Sequence, residues 1–236
     1  MSESCHIVAE ALEGIKKIVA PGITTKELDQ HAEACIRSKG AEPAFKGYRG
    51  YPASLCTSIN EQVVHGIPSS VRLKKGDIIS LDLGACYKSF YGDAALTLPV
   101  GEITGGAKKL LSVTEESLYE GINMAFKGNR LSDISAAIQR SVEAGGFSVV
   151  RSFVGHGIGR ELHEDPQLPN FGKSGEGPLL REGMTLAIEP MVNAGRRDVV
   201  ILSDGWTAVT KDKSLSAHFE HTVAITSDGP VILTKL

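Results

Sequence analysis

The chain repeats itself, and that restricts its possible folds more than any single motif does. Gly22 is followed by an apolar residue at Leu28 and a glycine at Gly40; Gly128 is followed at the same intervals by Ile134 and Gly146. His65-Gly-Ile-Pro in the first half answers His156-Gly-Ile-Gly in the second. LKKGDIISLD, which ends at Asp82, aligns with LREGMTLAIE, which ends at Glu189; Asp93-Ala-Ala-Leu-Thr aligns with Glu220-His-Thr-Val-Ala. Matches that keep a common order point to a duplicated unit of helix, helix, strand and hairpin. The units cover about residues 1–100 and 106–236 of one domain, 1–236, and the second hairpin carries a longer excursion at 190–219.

Local patterns give the elements. Ile7, Val8, Ala11, Leu12, Ile15, Ile18 and Val19 fall at helical spacing before a stop at Pro21-Gly22. Thr24-x-x-Glu27 is a capping box that opens a second helix closing at Lys39-Gly40. A strand is expected from Ser54 to Ile59, helices over 106–127 and from Ser132 to Gly145-Gly146, and a strand over 147–154. Between Lys75 and Pro99 two alternating runs flank a polar break at Tyr87-Lys88-Ser89, the pattern of a β-hairpin. Folded midway between Tyr87 and Lys88, it sets Asp82 opposite Asp93, with Cβ atoms roughly 4.5–5.5 Å apart. Two carboxylates that close repel. Either one of them is a turn residue in a slipped register, or a cation lies between them, since hard divalent ions take oxygen ligands.

Duplication turns two carboxylates into four, Asp82/Asp93 and Glu189/Glu220. If the halves face each other about a pseudo-two-fold axis, all four converge. Without cations such a cluster costs several kcal/mol of desolvation and repulsion; two divalent ions remove that cost. His156, between glycines that let the backbone bend, is placed to add a nitrogen ligand. Gly155, Gly157 and Gly159 lack the spacing of a phosphate-cradling loop. A net charge of −3 without a basic block argues against nucleic acid, and no apolar run is long enough to span a bilayer. The N-terminus has no basic region of the signal-peptide kind. Cys5, Cys35, Cys56 and Cys86 form no C-x-x-C pair, which suits reduced thiols in a cytoplasmic protein; Cys56 and Cys86 read as small buried residues.

Taken together, HGIP (65–68), SLDLG (80–84), YGD (91–93), GHGIGRELHEDP (155–166), IEP (188–190) and HFEHT (218–222) resemble the type I methionine aminopeptidases over essentially the whole chain. The resemblance implies an α+β pita-bread (creatinase/aminopeptidase) fold: an antiparallel sheet in two pseudo-two-fold-related halves, with helices outside. It implies two divalent metal ions (Co, Fe, Mn or Zn), with Asp82 on one, His156 and Glu189 on the other, and Asp93 and Glu220 bridging. It implies metal-assisted hydrolysis in which Glu189 serves as general base and then acid. His163 would stabilise the tetrahedral intermediate and His65 would contact the substrate amide. Phe45, Tyr48, Tyr51, Cys56, Leu162 and Trp206 would line the methionine pocket with them. The implied substrate is a nascent protein or peptide that begins with Met and has a small second residue. The implied setting is a cytoplasmic monomer in transient contact with the ribosome. Tyr91 stands where a histidine often precedes Gly-Asp, and the arm before the first helix is shorter than in most type I enzymes. No zinc-finger segment precedes the repeat, which favours the bacterial type. Prolidases and X-Pro aminopeptidases share the fold, but an added N-terminal domain does not fit in 236 residues. A non-catalytic binding homologue would have lost ligands, whereas all five are present.

Overall fold

Two helical pairs form from the patterns above. In the computed structural model, which describes all 236 residues, α1 (Ser2–Lys16) and α2 (Thr25–Ser38) pack as a pair, as do α3 (Gly105–Ile122) and α4 (Leu131–Ala144). The Thr24/Glu27 capping box is present in both directions, which satisfies two of the donors left free at the start of α2. Ile18 and Val19 lie beyond the end of α1, in a turn that bonds back to the Ile15 carbonyl, and still pack on the core. Similarly, α3 stops at Ile122 rather than running to 127. Ala125 remains fully buried after the helix ends, so the apolar periodicity continued through packing, not through helix. The strand expected over 147–154 is only Ser148–Val149, because the chain then leaves the ladder and exposes Arg151 and Ser152.

The helices cover one face of a nine-stranded sheet. Its main path is β1 (Glu42–Pro43), β4 (Ile78–Tyr87), β5 (Phe90–Pro99), β14 (Glu220–Thr226), β9 (Thr185–Ile188), β7 (Gly155–Gly157) and β8 (Glu164–Leu168). Off this path, β2 (Leu55–Ile59) pairs with β4 and β15 (Gly229–Ile232) pairs with β14. Every pairing is antiparallel. Two small sheets flank it. One joins β6 (Ser148–Val149), β10 (Met191–Asn193) and β13 (Ser216–His218); the other joins β3 (Gln62–Val64), β11 (Val199–Ile201) and β12 (Ala208–Thr210). The large core divides in two. One cluster of 17 buried residues draws only on Ile7 to Val100, while a second of 21 is almost wholly from Ile103 to Ile225. The halves meet where β5 lies antiparallel to β14, with Ala95 opposite Glu220.

The first hairpin has a register different from the expected one. Tyr87 pairs with Phe90, and Lys88 and Ser89 both have positive φ (50° and 62°), as a two-residue primed turn requires. Asp82 therefore faces Ala95, and Asp93 faces Gly84. A slip of two residues leaves side chains on the same face, so Asp82 and Asp93 become diagonal neighbours instead of direct partners.

Candidate metal centre

The register of five adjacent strands brings the expected ligands onto one face. Asp82 on β4 pairs with Ala95 on β5, and Ala95 pairs with Glu220 on β14. His221 pairs with Ile188, so Glu189, one residue on, comes alongside Glu220. Ala187 pairs with His156 on β7, and Ala187 shares its face with Glu189. Asp93 precedes Ala95 by two residues and so shares that face as well. Each strand contributes one donor, and the small Ala95 side chain leaves room between Asp82 and Glu220. Donor atoms of Asp93, His156 and Glu220 lie within 4.8 Å of one another.

Thr222, also on this face, fixes the Asp93 backbone by accepting its N–H at 3.1 Å and donating to its carbonyl at 2.7 Å. His156 sits between glycines for a reason other than backbone bending. Neither has a positive φ, but a Cβ at Gly155 would strike the Ala187 carbonyl oxygen, and one at Gly157 the Asp165 carbonyl. The strand is so closely hemmed in by its neighbours that only glycine fits on either side of the histidine.

The electrostatics of this group are those of a cation site. Asp93 and Glu220 are 4% and 2% exposed. Asp82 Oδ1, Asp93 Oδ1 and Glu220 Oε1 are buried without a hydrogen-bond partner. No lysine or arginine pairs with the four acids; the basic groups within 4 Å of them are imidazoles that burial keeps neutral, His156 with Nε2 3.5 Å from Glu189 Oε1 and His218 with Nε2 3.8 Å from Glu189 Oε2. Burial pushes all four carboxyls above the usual range, and mutual repulsion adds to this for Asp93, Glu189 and Glu220. Burial lowers the His156 imidazole below its ordinary value and keeps it neutral. Its Nδ1 lies 2.9 Å from the Gly157 carbonyl. That bond puts the proton on Nδ1 and leaves the Nε2 lone pair facing the acids, the tautomer a metal ligand needs. Four carboxylates and one imidazole, oxygen-rich and unneutralised, fit divalent ions well.

A cavity of about 160 Å³ opens beside the acids and is lined by Phe45, Tyr48, Tyr51, Cys56, His65, Leu162, His163 and Trp206. Arg49, which the sequence had not suggested, lies at its rim. The Tyr51 hydroxyl is turned out of the cavity and donates to the Gly66 carbonyl at 3.0 Å, leaving the ring as wall against the Trp206 edge. Burial raises the Cys56 thiol, so it lines the floor as an inert apolar group. Cys86, read as buried, is instead half-exposed near the hairpin turn. His65 adopts φ 61° and packs edge-on against Phe153 and Trp206. His163 stacks on Tyr48, with Nδ1 2.8 Å from its hydroxyl. Desolvation, with smaller contributions from His156, Arg49 and His65, lowers His163 to about 4. His218, 1% exposed behind Glu189, was also missed as a site residue.

The sequence profile of metallopeptidase family M24 matches residues 1–227. A methionine aminopeptidase of Clostridium perfringens is 58% identical over 236 residues, covering 100% of this chain and 95% of the relative. Methionine aminopeptidase 1 of Bacillus subtilis gives the same identity and coverage. The crystal structure of the Thermotoga maritima methionine aminopeptidase matches with a TM-score of 0.99 at 51% identity, covering 100% of this chain and 95% of that one. A prolidase of Pyrococcus horikoshii, 24% identical, shares the pita-bread fold with a TM-score of 0.80 over 99% of this chain and 60% of its own. The chain belongs to metallopeptidase family M24 and, within it, to the bacterial type I methionine aminopeptidases.

Proposed function

We propose that the protein removes the N-terminal methionine from nascent proteins and peptides, with a preference for a small second residue. The observation that carries this is a single cavity walled on one side by four acids and an imidazole and on the other by apolar rings. At about 160 Å³ it is well below the roughly 300–1,000 Å³ of pockets that enclose whole drug-sized ligands, and so suits one side chain. Apolar and aromatic walls favour a thioether, because sulfur is attracted to ring edges.

In this reading Asp82, Asp93, His156, Glu189 and Glu220 would hold two divalent ions, Asp82 serving one, His156 and Glu189 the other, and Asp93 and Glu220 both. Co, Fe, Mn and Zn all suit the donor set. When bound, such ions supply Lewis acidity, which lowers the pKa of water and polarises a carbonyl. The rest falls to side chains. The acidic wall attracts a free α-ammonium, which only the first residue of a chain possesses. Glu189 accepts the proton of the attacking water and delivers it to the leaving amine. Tyr48 donates its hydroxyl proton to His163 Nδ1, so that Nε2 carries the hydrogen and donates to the oxyanion as it forms. His65, at the cavity's other wall, contacts the substrate amide. The enzyme acts as a cytoplasmic monomer that meets nascent chains transiently at the ribosome.

Release of free methionine from Met-Ala-Ser, compared with hydrolysis of an X-Pro dipeptide lacking Met, tests the activity. Turnover of the first and not the second is expected. Comparable cleavage of the X-Pro substrate would point to the prolidase-like alternative that the shared fold allows.

A further inference from the structure

The HFEHT segment sets two histidines around Glu220. His221 turns to the helix-covered face, where its Nδ1 meets the Thr234 hydroxyl at 2.9 Å. His218 turns the other way: it is 1% exposed, and neither ring nitrogen has a hydrogen-bond partner. A neutral imidazole always carries one N–H, and a donor sealed from water without an acceptor destabilises a fold. Groups of this kind persist where they serve a site.

The geometry shows which site. Glu189 Oε2 lies 3.8 Å from His218 Nε2, while the other oxygen, Oε1, lies 3.5 Å from His156 Nε2. The carboxylate is thus bracketed by two imidazoles, one on each oxygen. The backbone beneath His218 is rigid. Thr97 Oγ1 accepts the His218 N–H at 2.9 Å and donates to the His218 carbonyl at 2.8 Å, and β13 pairs His218 with Met191. The Glu189 carbonyl likewise accepts from Asn170 Nδ2 at 2.9 Å, so rotation of the side chains closes the gap. Such bonds are often long in unliganded enzymes and tighten with substrate.

We propose that His218 is a positioning residue for Glu189, donating Nε2–H to Oε2 and so fixing the carboxylate with its proton-accepting lone pairs toward the attacking water. This rests on the reading of Glu189 as proton acceptor. His218 acts on the reaction through Glu189.

Two variants test it, His218→Met, which fills the space without a donor, and His218→Gln, which returns an amide N–H near the Nε2 position. Steady-state kinetics on Met-Ala-Ser are read beside the melting temperature of the metal-free protein. His218→Met is expected to lose between about ten- and a hundredfold in kcat, the usual effect of removing a residue that orients a metal ligand, with KM unchanged. Its metal-free melting temperature should stay level or rise, since a buried unsatisfied donor has gone; a packing role predicts the reverse. His218→Gln should keep kcat within about threefold of the wild type. An unchanged kcat in His218→Met, or a loss in His218→Gln as large as in His218→Met, overturns the proposal. If His218→Met does not fold, His218→Gln decides: retained kcat sustains the proposal, and a tenfold loss overturns it. Absence of wild-type turnover overturns the proposed activity and this inference with it. Normal wild-type turnover beside an equally fast His218→Met overturns this inference alone.

Discussion

Tyr48→Phe isolates the part of the site that depends on one proton. The substitution removes the hydroxyl that lies 2.8 Å from His163 Nδ1 but keeps the ring, so the stacking at 5.1 Å between centroids remains. Without that hydroxyl the imidazole is free to hold its hydrogen on either nitrogen, and only the Nε2–H form can donate to an oxyanion. A neutral hydrogen bond contributes about 0.5–1.5 kcal/mol, so kcat should fall roughly two- to tenfold. KM should change little, because the pocket wall is the same ring. His163→Ala removes the donor itself and should cost about 10²–10³ in kcat, the range seen for loss of one oxyanion-hole donor. The decisive comparison is the double variant. If Tyr48 acts only through His163, adding Tyr48→Phe to His163→Ala should cost less than about 0.5 kcal/mol more, within the scatter of additivity. Single-turnover hydrolysis of Met-Ala-Ser measures all four forms. Full additivity of the two substitutions would falsify the coupling and return Tyr48 to a wall residue.

Other outcomes follow from the same geometry. Asp93→Ala or Glu220→Ala should abolish activity and most of the metal-dependent rise in melting temperature, a rise equivalent to about 2.7 kcal/mol at a hundredfold excess of metal over Kd. The metal-free protein should melt higher at pH 6.5 than at pH 8. The four carboxyls have raised folded-state values, so in this window the folded form takes up protons that the unfolded form does not. Saturating divalent metal, by keeping these groups ionised, should flatten that dependence, and a slope as steep with metal as without it would count against the site. Gly84→Ala, whose Cβ would lie 2.8 Å from Phe45 Cε1 and 2.9 Å from Ala44 Cβ, should lower stability by about 1–3 kcal/mol and raise KM for Met substrates as the Phe45 ring moves into the pocket. Met should be preferred over Leu at the first position by tens- to hundreds-fold, the discrimination that about 1–3 kcal/mol of apolar contact allows.

Those expectations rest on features that the sequence made legible to different depths. Alternation and duplication put Asp82, Asp93, Glu189 and Glu220 on strands of one sheet, and the structure brings them to one face. The pairing of the first hairpin was misjudged by two residues, because the turn type depends on Lys88 and Ser89 adopting positive φ, which neither residue type advertises. The error left the face intact, since side chains alternate with a period of two. Apolar periodicity overran helix ends at Val19 and Ala125, where packing outlasts the hydrogen-bond ladder. The glycines around His156 were visible, but their cause, carbonyls of adjacent strands in close approach, is a tertiary fact. Arg49 and His218 lacked any spacing signal strong enough to separate them from ordinary surface and core residues. Strand alternation does set His218 on the face of Glu220, two residues away, and that was the available hint.

The central claim is that the five converging donors hold the ions on which methionine release depends. The most direct measurement is Met-Ala-Ser turnover by the exhaustively chelated protein as Mn(II) or Co(II) is added back, with bound metal determined calorimetrically in the same samples. The account predicts no turnover at zero metal, activity that rises in proportion to occupancy over at most two equivalents, and neither high-affinity binding nor turnover in Glu220→Ala. Full turnover by the chelated protein, or stoichiometric high-affinity binding that survives Glu220→Ala, would contradict it.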